Sequence, residues 1–256
     1  MSIISIIIFI VALIAAWQGF YMIGVEQFEL VKSYKFPTPK GVFDSFLNLC
    51  NDGEILKAIG SSLYKGLIGF MIAIAIGLVI GLLINNFKFL NKTLKPIILG
   101  IQTLPSVCWV PFAILWFGLE TKAVVFVIVM GTAFCIAIAV DNSIRNIQPI
   151  YKKAALTMGA SKKQMYFNVI IPAALPELIS GLKQGWSFAW RSLMAGEVMT
   201  TNLSGLGVTL AFARDFGSEI NEMMCIMIII VLLGILIDKC IFSTFEKRIL
   251  KKRGLA

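Results

Sequence analysis

Histidine is missing altogether from the 256 residues, and only 14% of them are charged. A soluble domain carries about 25% charged residues, so the deficit demands an explanation. The missing imidazole removes the commonest metal ligand and general base. No GxSxG, GxxxxGK[ST] or CxxC pattern occurs, so a nucleophile elbow, a Walker phosphate loop and a paired-thiol metal site are all absent from the chain. The five cysteines (Cys50, Cys108, Cys135, Cys225 and Cys240) are odd in number and cannot all pair within the chain. In apolar runs such thiols behave as small hydrophobes; they predict neither a disulfide framework nor a metal centre. What the chain has instead is apolar side chains, 58% of the total, gathered in long uncharged runs. That excludes a soluble globular enzyme, and it excludes disorder, which needs low hydrophobicity. An all-α polytopic membrane protein remains.

The runs divide into six spans of about 20 residues, the length that crosses a bilayer. Residues 2–25 carry no charge and lack the basic start of a signal peptide. Trp17, Gln18 and Tyr21 sit at the far end of that run, where an interfacial belt belongs. Residues 26–60, with Pro37, Pro39 and Gly41, form an exposed connection, within which Asp44–Ala58 is expected to hold a short interfacial helix. Gly66–Phe87 is the second span; Gly66, Ala73 and Gly77 fall within ~40° on a helical wheel, with Gly81 near them, which lets helix backbones approach closely. Pro96–Leu119, interrupted by Pro105 and Pro111, is the third and Ala123–Val140 the fourth. The fifth runs from near Pro176 to near Thr200 although it holds Lys183, Arg191 and Glu197, and Met223–Ile237 is the sixth.

Charge orients this array. With the N-terminus inside, the inner segments hold Lys88, Lys92 and Lys95, then Arg145, Lys152, Lys153, Lys162 and Lys163, then Lys239 and the tail Lys247–Arg253, against only Asp141 and Glu246. The outer segments hold six basic and nine acidic residues. The positive-inside rule is met at every loop. Both termini are expected in the cytoplasm, and the net charge of +9 needs no nucleic acid.

The inner segment between spans four and five is more than a connection. Pro149 suits a helix start, Gly159 a stop, and Ser161 a cap for a second short helix, Lys162–Val169, ended by Pro172. Ala154-Ala155-x3-Gly159, followed after nine residues by Val169-x-Ile171-Pro172, resembles the cytoplasmic EAA loop of ABC importer permeases, with Lys153 where that family has Glu. The stretches Leu104–Gly118, Ala189–Met199 and Ser204-Gly205-Leu206-Gly207 are similar to the nitrate/sulfonate/taurine branch. The resemblance covers nearly the whole chain. It implies a type I ABC importer permease fold: an N-terminal helix and external segment over 1–56, a transmembrane type-1 domain over 57–242 with a coupling loop at 141–172, and a basic cytoplasmic tail over 243–256. It also implies that Tyr151, Lys152, Lys153, Ala154, Ala155, Leu156, Met158, Gly159, Ala160 and Ser161 form a coupling helix seated in a cytoplasmic ATPase. Ser204, Gly205 and Gly207 would lie on the side where an extracytoplasmic binding protein docks. The implied partners are ABC ATPase subunits, which carry the ATP and Mg, that binding protein, and a second copy of the chain. No cofactor is expected on this chain. The implied cargo is a sulfonate-, nitrate- or taurine-like anion, or a small molecule like a thiamine precursor.

Span five sorts into three faces. Ser180, Gln184, Ser187 and Arg191 form a polar stripe; Gly181, Gly185, Ser192 and Gly196 form a small-residue face; Lys183, Trp186, Trp190 and Glu197 share the third. No face is broadly apolar, so the helix is expected to be enclosed by protein or to line a cavity. An unpaired Arg near the bilayer centre costs from ~2.5 to 17 kcal/mol. Arg191 therefore either meets an anionic solute in a water-filled path or pairs with a carboxylate or carbonyls elsewhere. Lys183 is expected to snorkel toward the inner surface, and Glu197 and Trp109 to make gating or inter-helix contacts. An intramembrane aspartyl enzyme would need two carboxylates on facing helices, whereas Asp141 and Asp238 fall at inner ends. The remaining alternative is a secondary transporter or channel component independent of ATP.

Overall fold

The structure, a computed structural model, describes residues 3–28, 32, 35–200, 203–215 and 220–244. Every element among them is helical. Helix α1 (Ile3–Phe20) continues through a π turn to Gln27. A separate α2 (Pro39–Asn51) follows, capped by Thr38, whose hydroxyl accepts from the Gly41 N–H. The expected interfacial helix therefore exists, but it starts at Pro39, which suits a first helical turn, and ends before a left-handed Gly53.

From there α3 (Glu54–Asn86) runs for 33 residues, a dozen beyond the uncharged run that marked it. Lys57 and Lys65 lie inside this helix rather than in a loop. Helix α4 (Lys88–Gln102) and α5 (Val110–Phe117) are the two parts of the third run. They meet at a 100° bend across Thr103–Pro105 and a 3-10 turn at Ser106–Trp109. Pro105 and Pro111 lack the N–H groups that would carry a straight helix through. The third run is thus a broken span, and the described residues hold five candidate spans, or six if the bent pair counts as one.

Helix α6 (Thr121–Arg145) is the central element, packed along α3 on one side and α9 (Ile171–Met199) on the other. Small residues make both contacts possible. A Cβ at Gly77 would lie 2.7 Å from Ile136 Cβ and 2.8 Å from the Ala133 carbonyl, and one at Gly81 2.6 Å from the Ala137 carbonyl. On α9, Gly185 abuts Ile136 and Gly196 abuts Val124. The core that fills these seams includes Phe70, Val124, Ile128, Ile136, Trp186, Trp190 and Leu193.

Helix α7 (Pro149–Thr157) starts at the proline that marked it, and Gly159 turns the chain at φ 76°. Ser161 and Gln164 form a reciprocal capping box on α8 (Lys162–Gln164). One expectation fails here. Pro172 does not end a separate short helix: residues 162–199 continue through a π segment at Met165–Ile170 into α9 as one 38-residue helix. Pro172 therefore lies within a continuous helix, directly after the π segment, and does not break it. Helix α10 (Leu206–Asp215) and α11 (Ile220–Ile237) complete the described fold. The basic tail Lys247–Arg253 lies outside the described residues.

Candidate functional site

Three places in this fold concentrate polar chemistry, and they lie at different levels of the bundle. The first is the α7 turn. Tyr151, Lys153, Ala154, Leu156, Met158, Gly159 and Ser161 are exposed, Lys152 and Ala160 are half-buried, and Ala155 is buried. Met158 is 86% exposed and Leu156 64%. They form an apolar knob flanked by Lys152 and Lys153 on the connection between two long helices. Beneath it, Tyr151, Ala154, Met158, Val169 and Pro172 help enclose a groove of about 490 Å³.

The second is a buried knot at the opposite end of α9. Glu197 is fully buried, and its carboxylate pairs with Lys65 of α3 at 2.5 Å. It also accepts from the Ser62 hydroxyl at 2.8 Å and from the Gly207 N–H at 2.9 Å. Lys65 Nζ reaches on to the Ser204 carbonyl at 2.6 Å, and the Ser61 hydroxyl donates to the same oxygen at 2.7 Å. The knot ties α3, α9 and the start of α10 together. Ser204 is exposed, but Gly205 and Gly207 are buried. Their missing side chains explain why: a Cβ at Gly205 would fall on the Glu197 carboxylate, and one at Gly207 would lie 2.6 Å from Glu197 Cβ. Lys65 and Ser62 escaped the sequence reading. The signal was a lone lysine at the edge of a long apolar run, taken there as a boundary.

The third is the polar stripe of α9. Ser180, Gln184, Ser187 and Arg191 are all exposed on the single chain, whereas Gly185, Trp186, Ser192 and Gly196 on the other faces are buried. Arg191 Nε donates to the Ser187 carbonyl at 3.1 Å, and its guanidinium lies 4.6 Å over the Phe188 ring. No carboxylate pairs with it among the described residues. Trp109, half-buried at the α4–α5 bend, lines a cavity with Arg191 and touches the Phe112 ring at 6.3 Å between centroids. Trp109 and Glu197 therefore belong to separate places.

Lys183 does not snorkel into solvent alone. Its ammonium lies 3.2 Å from Asp238 at the end of α11, because a cation at that depth gains from a nearby carboxylate. Asp141 is likewise committed: fully buried, it pairs with Lys95 at 2.7 Å and Arg145 at 2.6 Å, and accepts from Asn85 at 3.1 Å. No group of three or more metal-ligating side chains occurs among the described residues.

Comparison with known proteins bears on the family and the fold. The model of the family described as binding-protein-dependent transport system inner membrane component matches residues 73–251. A chain of Bacillus subtilis (strain 168) named for aliphatic sulfonates transport as a permease protein is 30% identical over 94% of this chain and 85% of its own length. The nitrate import permease protein of Synechocystis sp. is 28% identical, covering 75% of this chain and 70% of that one. Among solved structures, an inward-facing methionine ABC transporter superposes with a TM-score of 0.65 at 20% identity, over 76% of this chain and 95% of that one.

Proposed function

The chain belongs to the binding-protein-dependent transport system inner membrane component family, as a multi-pass permease subunit of an ABC importer, and from that premise we propose how its residues divide the work. It is a transport subunit rather than an enzyme, and the family works with an ATPase and a solute-binding protein. We propose that α7, from Tyr151 to Ser161, is the coupling helix and that its exposed Leu156 and Met158 fill a cleft of the cytoplasmic ATPase, which carries the ATP and Mg. The termini then lie in the cytoplasm of a cell bounded by this membrane, and Ser204 faces the binding protein.

The observation that carries the rest is the α9 stripe. Four polar side chains, one of them a guanidinium without a carboxylate partner among the described residues, stand exposed on a helix long and apolar enough to cross a membrane. Lipid is the one environment they cannot face, since an Arg there costs several kcal/mol. A water-filled path closed by a second subunit meets the requirement. An importer driven by two ATPases needs two coupling helices, and each chain supplies one; a two-fold pair of this chain is the simplest closed arrangement. The path so formed is positive, which suits a small anion of the sulfonate or nitrate kind. Native mass spectrometry of the complex purified with its ATPase tests the assembly. Two copies of this chain are expected; a single copy, or two different permease chains, would overturn the pair.

A further inference from the structure

The bend between α4 and α5 encloses space as well as turning the chain. A cavity of about 270 Å³ lies between the end of α4, the turn from Pro105 to Trp109 and the facing surfaces of α6 and α9. Its polar side chains are Gln102, Ser106 and Arg191, with Thr103 at the edge; Trp109, Met130 and Phe188 supply apolar wall. No Asp or Glu lines it.

The Arg191 side chain is oriented rather than loose. Its bond from Nε to the Ser187 carbonyl and its seat over Phe188 fix the guanidinium plane and leave both terminal nitrogens uncommitted. Of the two carboxylates on α9, Glu197 is taken by Lys65, and Glu177, fourteen residues before Arg191, accepts from Asn146. The side chains of Gln102 and Ser106, across the cavity, have no hydrogen-bond partner among the described residues. Three sets of idle donors thus converge on one space. Inside a membrane protein a cation and neutral donors left without acceptors are held at a cost unless something else supplies the charge. A planar guanidinium with two free nitrogens matches an oxyanion in two-point contact. The size decides what kind. Pockets for drug-sized ligands span roughly 300–1,000 Å³; this one lies just below that range and suits a small ligand. With one cation and only neutral donors beside it, the complementary charge is a single negative one.

We infer that the cavity at the α4–α5 bend is a binding site for a small, singly charged oxyanion in transit, with Arg191 as counter-ion, Gln102 and Ser106 as hydrogen-bond donors and Trp109 as its wall. The inference rests on the reading of the α9 stripe as part of the solute path, and it adds a resting place on that path built partly by residues of another helix. An anionic lipid headgroup offers the same chemistry, and the choice of lipid separates the two sources.

The test uses the permease with its ATPase in discs of phosphatidylcholine alone, titrated at constant ionic strength with methanesulfonate, nitrate and, as the neutral counterpart, dimethyl sulfone, while tryptophan fluorescence is read. Saturable change with the two anions and none with the sulfone is expected, and Trp109→Phe should remove most of it. Arg191→Gln should weaken the anions about tenfold or more, and Ser106→Ala and Gln102→Leu each by about three- to tenfold, the range of one ordinary hydrogen bond. Arg191→Lys should retain part of the affinity. Melting temperatures of all variants should stay near that of the parent, because no ion pair is broken; should Arg191→Gln melt early, Arg191→Lys is read in its place. Equal response to the sulfone, a response seen only when anionic lipid is added, or unchanged anion affinity in Arg191→Gln overturns the site. ATP-driven uptake of the same anions separates the two levels. Anions that are transported yet unaffected by Arg191, Gln102 and Ser106 leave the cargo reading standing and sink the cavity; anions neither bound nor transported sink both.

Discussion

Lys65 and Glu197 form an ion pair 2.5 Å long between α3 and α9, with their side chains 3% and 0% exposed. Buried pairs of this kind contribute little net stability against an apolar replacement, but losing one partner strands the other. Glu197→Gln should therefore lower stability by about 3–5 kcal/mol, and Lys65→Met by a similar amount. The double variant Lys65→Met/Glu197→Gln should recover most of the loss, because Gln still accepts from Ser62 and the Gly207 N–H while no charge is left unpaired. Thermal unfolding of the four purified proteins decides it; a double variant no better than the worse single one would mean that the charges are not what the site holds together.

Glycine substitutions should divide sharply by what a Cβ meets. At Gly81 it would press on the Ala137 carbonyl and Val140, and at Gly205 it would fall on the Glu197 carboxylate, whereas at Gly60 nothing lies within 4 Å. Gly81→Ala and Gly205→Ala should each cost about 1–3 kcal/mol, the usual scale of overpacking. Gly60→Ala, in a helix, should be neutral or stabilising by up to about 1 kcal/mol. Equal melting temperatures for Gly60→Ala and Gly81→Ala would contradict the close α3–α6 approach.

Gly159 presents the opposite case, with open space around it but a left-handed backbone at φ 76°. A side chain there is strained by conformation alone, roughly 1–2 kcal/mol for most residues and less for Asn. Gly159→Asp and Gly159→Val should abolish ATP-driven uptake while membrane insertion and melting temperature stay close to the parent. Gly159→Asn should keep measurable transport. Undiminished uptake in Gly159→Val would remove α7 from the coupling role.

Topology can be read with thiols. Cys50, Cys108 and Cys240 are exposed and are first replaced by Ser. A cysteine at exposed Ser161 should then resist an impermeant maleimide in intact cells and react after lysis, while one at exposed Asp52 should react in both. Labelling at position 161 in intact cells would reverse the orientation drawn from the basic loops.

Much of this protein is written in one dimension. Hydropathy alone marks the apolar runs, since a backbone in lipid must satisfy its own hydrogen bonds and does so as helix. The α7 turn was legible for a local reason as well: Pro149, Gly159 and Ser161 act on their own backbone or on one three residues away, and each sits in the structure where its chemistry places it. The stripe of Gly77 and Gly81 was legible because helical periodicity projects sequence onto a face.

What stayed hidden depended on partners distant in sequence. Composition could not tell that Pro105 would turn the third run through 100° while Pro172 would be carried inside a continuous helix just past its π segment; the same residue breaks a helix or is passed by it according to the backbone around it. Nor could spacing pair Lys65 with Glu197, Asp141 with Lys95, or Lys183 with Asp238, because these contacts are decided by how α3, α4 and α9 pack around α6 and how the segment after α11 meets α9. The sequence by itself determined which runs are long and apolar enough to enter a membrane and which face of α9 is polar. Only the tertiary structure decided which of the membrane charges are already answered within the chain, and it left Arg191 as the one on α9 with no carboxylate beside it among the described residues.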